Sequence, residues 1–469
     1  MTLSRRGGAT LRAVARGHRE KPLAPVTDTI CALSSAPGRA GVAVVRVSGP
    51  AAVALLASLV GRVPEPRRAV LRTIRDPGSG QDIDRGIVLL FAGPSSFTGE
   101  DTVEFLLHGG RAVVAGVLAA LRQQGCRLAE PGEFARRAFD NGRIDLTEAE
   151  GIADLIDAET EAQRRQAVRQ AGGELHRLYD GWRAELIDAM ALTEAAIDFS
   201  DEADVAADAA ASARGMVVAL AARIDAHLRD GRRGEILRDG FRVVLAGAPN
   251  VGKSSLLNAL ARRDAAIVSP EAGTTRDVIE VRLDLEGLPV IVSDTAGIRD
   301  GGGEIEREGI RRTIARGREA DLVLWLMDAQ APDWDVPVEL GDAPGRVLEV
   351  MNKVDLVGLP VATPEGRGEC ARISALSGTG MAALVSRLAS LARQRIAPDD
   401  GPVITQARHR EALEDCVRRL QDYLGQELPR VELAAEDLRR AALALGRITG
   451  RVDAEQVLGQ IFARFCIGK

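Results

Sequence analysis

A glycine-rich turn, Gly247-Ala-Pro-Asn-Val-Gly-Lys-Ser254, lies between the apolar run Val243-Val244-Leu245 and a run of helical character from Ser255 to Leu260. A strand that stops at such a turn and resumes as a helix leaves few architectures open. The glycines let successive backbone N–H groups close around an anion, and the helix N-terminus adds the positive end of its dipole. The segment therefore predicts a phosphate cradle on an α/β sheet. Lys253 reaches the β- and γ-phosphates in this reading, and the Ser254 hydroxyl holds Mg2+. Composition sharpens the point, because only four of the 61 basic residues are lysines: Lys21, Lys253, Lys353 and Lys469. A compact ammonium fits a phosphate cradle where a planar guanidinium does not.

Three more motifs follow in order. Gly273-Thr-Thr-Arg-Asp277 is a polar loop able to place a threonine oxygen, from Thr275, on the metal. Asp294-Thr295-Ala296-Gly297 follows the strand-like Val290-Ile-Val292, which puts Asp294 at a strand end where it binds Mg2+ through water. Asn352-Lys353-Val354-Asp355 follows Leu348 to Met351, and Asp355 supplies the acceptor pair that guanine N1–H and N2–H2 demand; adenine offers a different edge, so GTP is favoured. Ser374, Ala375 and Leu376 complete the base pocket. The candidate nucleotide contacts are thus Asn250, Val251, Gly252, Lys253, Ser254 and Ser255, then Ser269, Pro270, Glu271, Ala272, Gly273, Thr274 and Thr275, and the three motifs just given. Together they resemble the translation-factor class of small GTPases. Ile298 stands where Ras-like GTPases carry the glutamine that positions water, so another group must do so. The stretch Asp300-Gly-Gly-Gly303 leads to Glu304 and Glu306, either of which is a carboxylate for that role or part of an exposed acidic helix start.

A length of 469 residues corresponds to about three domains. Residues 1–26 carry Arg5, Arg6, Arg12, Arg16, Arg19 and Lys21 against Glu20 alone: a disordered basic leader, an over-long start or a transit peptide. Residues 27–145 mix short strands, such as Val42 to Val47 and Ile87 to Phe91, with a helix over 112–122. Residues 146–237 are alanine-rich and helical, with Ile152, Leu155 and Ile156 at helical spacing. An α/β segment over 238–396 is followed by a Pro/Gly linker and a helical stripe of Leu413, Cys416, Val417, Leu420 and Leu424 within 397–469. The fold class expected is multidomain α/β plus α: an N-terminal α+β domain and a discontinuous helical domain with a P-loop α/β domain threaded into it, two separate helical domains being the alternative. The net charge of −6 lacks the basic footprint of an autonomous nucleic-acid binder. The five scattered cysteines lack CxxC spacing, which fits a reducing, cytoplasmic setting without disulfide or zinc. No run of about 18 consecutive apolar residues occurs, so no membrane partner is expected.

Ala36-Pro-Gly-Arg-Ala-Gly-Val-Ala-Val-Val-Arg46, Ser96-Phe-Thr-Gly-Glu-Asp101, His108-Gly-Gly110 and Pro131-Gly-Glu-Phe-Ala-Arg-Arg-Ala-Phe139 resemble the folate-binding domain of the MnmE (TrmE) tRNA-modification GTPases. Asn141-Gly-Arg-Ile-Asp-Leu146, Ala196-Ile-Asp-Phe-Ser-Asp-Glu202 and Phe465-Cys-Ile-Gly-Lys469 match the same family, so the resemblance covers residues 27–469. It implies a homodimeric GTPase that acts with a flavoprotein partner, MnmG (GidA), in a heterotetramer or larger complex. That complex adds an aminomethyl or carboxymethylaminomethyl group to C5 of the wobble uridine of certain tRNAs. A tetrahydrofolate derivative, 5-formyl or methylene, supplies the one-carbon unit.

Carried over position by position, the resemblance implies a folate site at Arg46, Glu104, Arg143 and Lys469. It also makes Cys466 a candidate nucleophile toward a pyrimidine ring, against a packing role between Phe465 and Ile467. Hydrolysis in the family is activated by K+-dependent dimerisation of the GTPase domains. Asn250, Ser269, Glu271 and Thr274 match the positions around that K+, and Glu306 matches the water-orienting carboxylate. A regulatory or ribosome-assembly GTPase without substrate chemistry is the alternative; no KH-like RNA-binding tail follows the GTPase segment to favour it.

Overall fold

The structure, a computed structural model, describes residues 28–199, 201–230, 232–263, 265–267, 280–294, 317–341, 345–357, 364, 369–396, 401–426, 431–452, 455–463, 465 and 468. The basic leader at 1–26, with Lys21, lies outside them. The chain forms two compact units, Met1–Ala149 with Asp453–Lys469, and Glu150–Val452.

In the first unit, alternating β-branched and aromatic residues build a sheet from β1 (Ile30–Leu33), β2 (Ala40–Ser48), β3 (Val70–Arg75), β4 (Asp82–Phe91), β5 (Thr102–Gly109) and β6 (Arg127–Leu128). The order is β3-β4-β5-β2-β1-β6, antiparallel except where β1 meets β6. Val45, Val47, Val88, Val103 and Phe105 share one core with Leu56 of α1 (Ala52–Val60) and Leu121 of α2 (Arg111–Gln123). Strand residues alternate faces, so their neighbours line the other side. There Leu71, Ile87, Leu106 and Val44 stand in register across β3, β4, β5 and β2, with Leu71 50% and Ile87 39% exposed.

Arg137 of α3 (Glu133–Asp140) is 2% exposed and pairs with Asp28 at 2.8 Å, Glu133 at 3.0 Å and Glu100 at 3.2 Å. It ties the entry to β1 to the 96–101 turn. The C-terminal segment belongs to this unit rather than to the helical part with which the sequence reading grouped it. The Phe462 ring packs near Phe139 and Phe465, and a Cβ at Gly132, φ 69°, would lie 2.4 Å from the Phe462 carbonyl. Ser34 Oγ donates to the Gly468 carbonyl at 2.7 Å.

The second unit begins within α4 (Leu146–Asp157) and continues through α5 (Glu161–Ala171), α6 (Glu174–Asp198), α7 (Ala203–Leu228) and α8 (Arg233–Asp239). Leu175, Leu186 and Val217 from this stretch share one core with Leu413, Cys416 and Leu420 of α11 (Ala407–Gly425) and Leu438 and Leu445 of α12 (Val431–Thr449). The helices on both sides of the α/β segment thus make a single body, and the two-domain alternative falls. Leu155 and Ile156 are exposed, because the buried face of α4 is set by Leu146, Ala149 and Glu150. Among the described residues, one stretch, Asp204–Asp239, contains an 18-residue window of mean hydropathy 1.4 and by length and composition passes for a membrane span; its Val217, Leu220 and Ile224 pack into the helical core.

Between these helices lies a second six-stranded sheet, order β12-β11-β10-β7-β9-β8. Its strands are β7 (Phe241–Gly247), β8 (Glu280–Leu285), β9 (Leu288–Asp294), β10 (Leu322–Asp328), β11 (Val347–Asn352) and β12 (Ala371–Arg372), flanked by α9 (Lys253–Ala261) and α10 (Met381–Ile396). All neighbours are parallel except the β8–β9 hairpin. Its two turn residues, Glu286 and Gly287, have φ 57° and 85°, as a tight hairpin requires.

A charge cluster locks the helical body. Glu150 accepts from Arg408 at 2.6 and 2.7 Å and pairs with the buried His409 ring at 2.9 Å. Burial alone would raise the Glu150 pKa, but His409 and Arg408 outweigh it and hold it at about 2, below the ordinary 4.5. A lowered folded pKa gives stability that is present above pH 4.5 and lost as pH falls toward 2. Urea unfolding across that window should show this loss, about 3 kcal/mol for such a shift. Glu150→Gln should be less stable at neutral pH and lack that component of the acid dependence; an unchanged acid profile would refute the assignment.

Candidate functional site

The parallel register sets the site. Leu245 lies opposite Asp294, Leu326 opposite Gly247, and Asp328 opposite Asn352, so β9, β7, β10 and β11 all end at one edge. That carboxyl edge is where open α/β sheets bind ligands. Gly247 has φ 140°, and a Cβ there would come 2.2 Å from the Leu326 carbonyl. The chain can leave β7 by this path only with glycine. Asn250, at φ 63°, continues the turn, and Gly252, at φ 98°, starts α9.

Lys253 Nζ donates to the carbonyls of Gly247 at 3.0 Å and Ala248 at 2.9 Å, which spans the loop from inside. Burial lowers its pKa, and the Asp294 charge works against that shift. Ser254 Oγ donates to Asp294 Oδ2 at 2.9 Å, and Asp294 is buried. Two hard oxygens so placed suit Mg2+. Asn352, also buried, joins the phosphate and base sides of the site. Its Nδ2 donates to the Val251 carbonyl at 2.9 Å, and its Oδ1 accepts from Ala375 N–H at 3.0 Å. The same amide is why residue 252 has no side chain, since a Cβ there would lie 2.3 Å from Asn352 Nδ2.

Beyond it, Lys353, at φ 64°, pairs through Nζ with Asp328 Oδ2 at 2.6 Å. Asp355 follows on an exposed 3-10 turn, Val354–Leu356. Ser374 is buried and its hydroxyl accepts from Ser377 N–H at 3.0 Å, while Leu376 is 91% exposed. The structure therefore gathers Asn250 to Ser255, Asp294, Asn352, Lys353, Asp355 and Ser374 to Leu376 at one edge. The sequence reading missed Asp328, whose signal was an Asp closing an apolar strand as Asp294 does. It also missed that Asn352 acts as a strut. Ser269, Pro270, Glu271, Ala272, Gly273, Thr274, Thr275, Thr295, Ala296, Gly297, Glu304 and Glu306 lie outside the described residues.

In the first unit, Arg46 donates to Glu104 Oε1 at 2.8 and 3.0 Å and lies 5.7 and 5.6 Å from the Phe97 and Phe134 ring centres. Arg143 is exposed and packs beside Gly99, and Asn141 Nδ2 donates to the Thr98 carbonyl at 2.7 Å. Arg46 and Arg143 thus border the same 96–101 turn. Cys466 and Lys469 lie outside the described residues. The four described cysteines are free.

A glycine cradle, a buried lysine, a Ser–Asp oxygen pair and a base-side Asn at the carboxyl edge of a parallel sheet define a P-loop nucleotide-binding protein. Residues 146–466 match the MnmE helical domain, and residues 29–143 match the N-terminus of the GTP-binding protein TrmE. The tRNA modification GTPase MnmE of Parvibaculum lavamentivorans is 54% identical over 451 residues, covering 94% of this chain and 100% of that protein. The proteins of the same name from Beijerinckia indica (52%, covering 95% and 97%) and Phenylobacterium zucineum (50%, covering 95% and 100%) are similar to the same extent. The chain belongs to the MnmE family of tRNA modification GTPases. Among solved structures, the G domain of the T. maritima FeoB iron transporter is 25% identical, covering 32% of this chain and 98% of that chain with a TM-score of 0.24, a likeness too partial to argue from.

Removing the Asn352 amide leaves the Val251 carbonyl and Ala375 N–H without their partner, which costs about 1–3 kcal/mol for each buried group. Asn352→Ala should weaken binding of a fluorescent GDP analogue by at least roughly tenfold. Gly252→Ala, which drives a methyl into the same amide, should do likewise. Wild-type affinity in both variants would contradict the strut.

Proposed function

We propose that this chain is a K+-stimulated GTPase that works with the flavoprotein MnmG (GidA). Together they add an aminomethyl or carboxymethylaminomethyl group to C5 of the wobble uridine of certain tRNAs. The one-carbon unit comes from 5-formyl- or methylene-tetrahydrofolate. The observation that best supports the hydrolytic half is the Asn352 amide, which joins the Val251 carbonyl of the glycine turn to the Ala375 N–H of the Ser374–Leu376 loop.

In this reading, water attacks the γ-phosphorus, the bond to the β–γ bridging oxygen breaks, and GDP and phosphate leave. Lys253 holds the charge that builds on the β- and γ-oxygens. Asp355 fixes the guanine edge, with Ser374, Ala375 and Leu376 around the base. Ser254 and Asp294 hold the Mg2+ side with Thr275; Mg2+ supplies charge neutralisation when bound. Asn250 belongs to the K+ set with Ser269, Glu271 and Thr274, where K+ supplies the positive charge that an arginine finger provides elsewhere. Glu306 orients the water.

The folate half rests on Arg46, Glu104, Arg143 and Lys469. The Arg46 guanidinium, held by Glu104 beside two aromatic rings, offers charge and a flat surface to an anionic, planar heterocycle. Cys466 is the candidate nucleophile toward the pyrimidine. The domain reading assigns folate binding and dimerisation to 27–145, the GTPase to 238–396, and the helical body to 146–237 and 397–469, apart from the C-terminal segment that packs in the first unit. The open row of Leu71, Ile87, Leu106 and Val44 supports a homodimer, because such a face is costly in water. The wider assembly with MnmG and tRNA is cytoplasmic.

Hydrolysis measured in K+ should exceed that in Na+ severalfold, and Glu306→Ala should abolish turnover while GTP still binds. Equal rates in the two salts would sink the K+ assignment. Nucleoside analysis of tRNA from a deletion strain should show an unmodified wobble uridine; a normal one would remove the tRNA half of the reading.

A further inference from the structure

The first unit holds a buried arginine to which the folate reading gives no part. Arg137 of α3 is 2% exposed, and both ends of its planar fork are engaged. Nη1 donates to the Asp28 carbonyl at 2.9 Å and to the two Glu100 oxygens at 3.2 and 3.3 Å. Nη2 donates to Asp28 Oδ1 at 2.8 Å and to Glu133 Oε1 at 3.0 Å. A buried ion pair of this kind adds little stability over apolar packing, because desolvation offsets the attraction. What it does supply is geometry, since a guanidinium fixes the directions of its bonds where an ammonium does not.

Glu100 is the joint in that geometry. Ser48 Oγ of β2 donates to Glu100 Oε2 at 2.7 Å, and the buried Thr98 hydroxyl lies 2.7 Å from the same Ser48 oxygen. The 96–101 turn is thus tied to β2 on one side and to α3 on the other. A second tie runs from the end of α3, where Asn141 Nδ2 donates to the Thr98 carbonyl at 2.7 Å. Gly99, at φ 79°, permits that approach, because a Cβ there would lie 2.9 Å from Asn141 Cβ.

The elements so joined carry the two rings beside Arg46. Phe97 stands on the turn and Phe134 in the first turn of α3, and their centres lie 5.7 and 5.6 Å from the Arg46 guanidinium carbon. Phe134 is buried with Ile30, Ala32 and Ala129, and Phe97 packs against that group. Strand alternation puts Arg46 on the same face of β2 as Ser48. A cation is held over an aromatic ring only within about 6 Å, so even a small shift of the turn against α3 would part Arg46 from Phe97.

We propose, on the folate reading of Arg46, that Arg137 and Asn141 are positioning residues of the folate site: by bonding α3 to the 96–101 turn they set where Phe97 and Phe134 stand around the Arg46 guanidinium. They act through Phe97 and Arg46 rather than by touching the folate.

The test is calorimetric titration of 5-formyltetrahydrofolate into the full-length chain, with melting temperature as the check on folding. Wild type should bind saturably, and Arg46→Ala should lose that binding. Asn141→Ala, which removes an exposed side chain, should weaken it by roughly tenfold. Arg137→Lys, which keeps the charge but not the fork, should do the same if it folds. A double-variant cycle with Phe97→Leu separates positioning from general loosening: once the ring is gone, Asn141→Ala should cost at most about twofold more. Wild type that fails to bind, or binding that Arg46→Ala leaves intact, would remove the folate reading and the clamp with it. Wild-type affinity in Asn141→Ala, or a loss that persists in full on the Phe97→Leu background, would overturn the clamp alone.

Discussion

The nucleotide half depends on one constraint, the register of four parallel strands. Because Leu245 pairs opposite Asp294, Leu326 opposite Gly247 and Asp328 opposite Asn352, groups from four distant stretches reach the same edge. A slip of one residue in any strand would turn its terminal side chain to the other face. The buried strand interiors hold the register, and Asn352 then stitches two of the loops that emerge. Lys253, the Ser254 and Asp294 oxygens and the Ser374–Leu376 loop are therefore positioned by packing beneath them.

Much of this half was legible in the sequence because its motifs are set by local backbone need. Gly247 and Gly252 stand where a Cβ has no room, so spacing alone exposed them. Asp355 was expected at this edge from the chemistry of guanine, and the structure places it on the 3-10 turn that follows β11. Asp328 was not, since an Asp closing a strand has many uses and its partner Lys353 lies just past the end of the neighbouring strand β11. The double use of Asn352 was equally hidden: the motif marks the residue, but the two bonds depend on where Val251 and Ala375 arrive.

Two strands of the first unit were legible, with Val42 to Val47 inside β2 and Ile87 to Phe91 inside β4. Its closure was not. The C-terminal segment returns to it through close backbone approaches at Gly132 and Gly468, which leave no periodic signal. Arg137, buried among Asp28, Glu100 and Glu133, was not singled out in the sequence, because Asp28 and Glu100 are distant from it in the chain. In the helical body the spacing of Ile152, Leu155 and Ile156 indicated a helix but not its inner face, which the Glu150 cluster helps to set.

The central claim is that guanine nucleotide binds at this edge with Lys253 on its phosphates and Asp355 on its base. A crystal structure of the full chain with GDP and Mg2+ tests it directly. Lys253 Nζ should leave the carbonyls of Gly247 and Ala248 for the β-phosphate, and the Asp355 carboxylate should sit about 3 Å from guanine N1 and N2. A nucleotide bound elsewhere, or one whose base turns away from Asp355, would contradict the account.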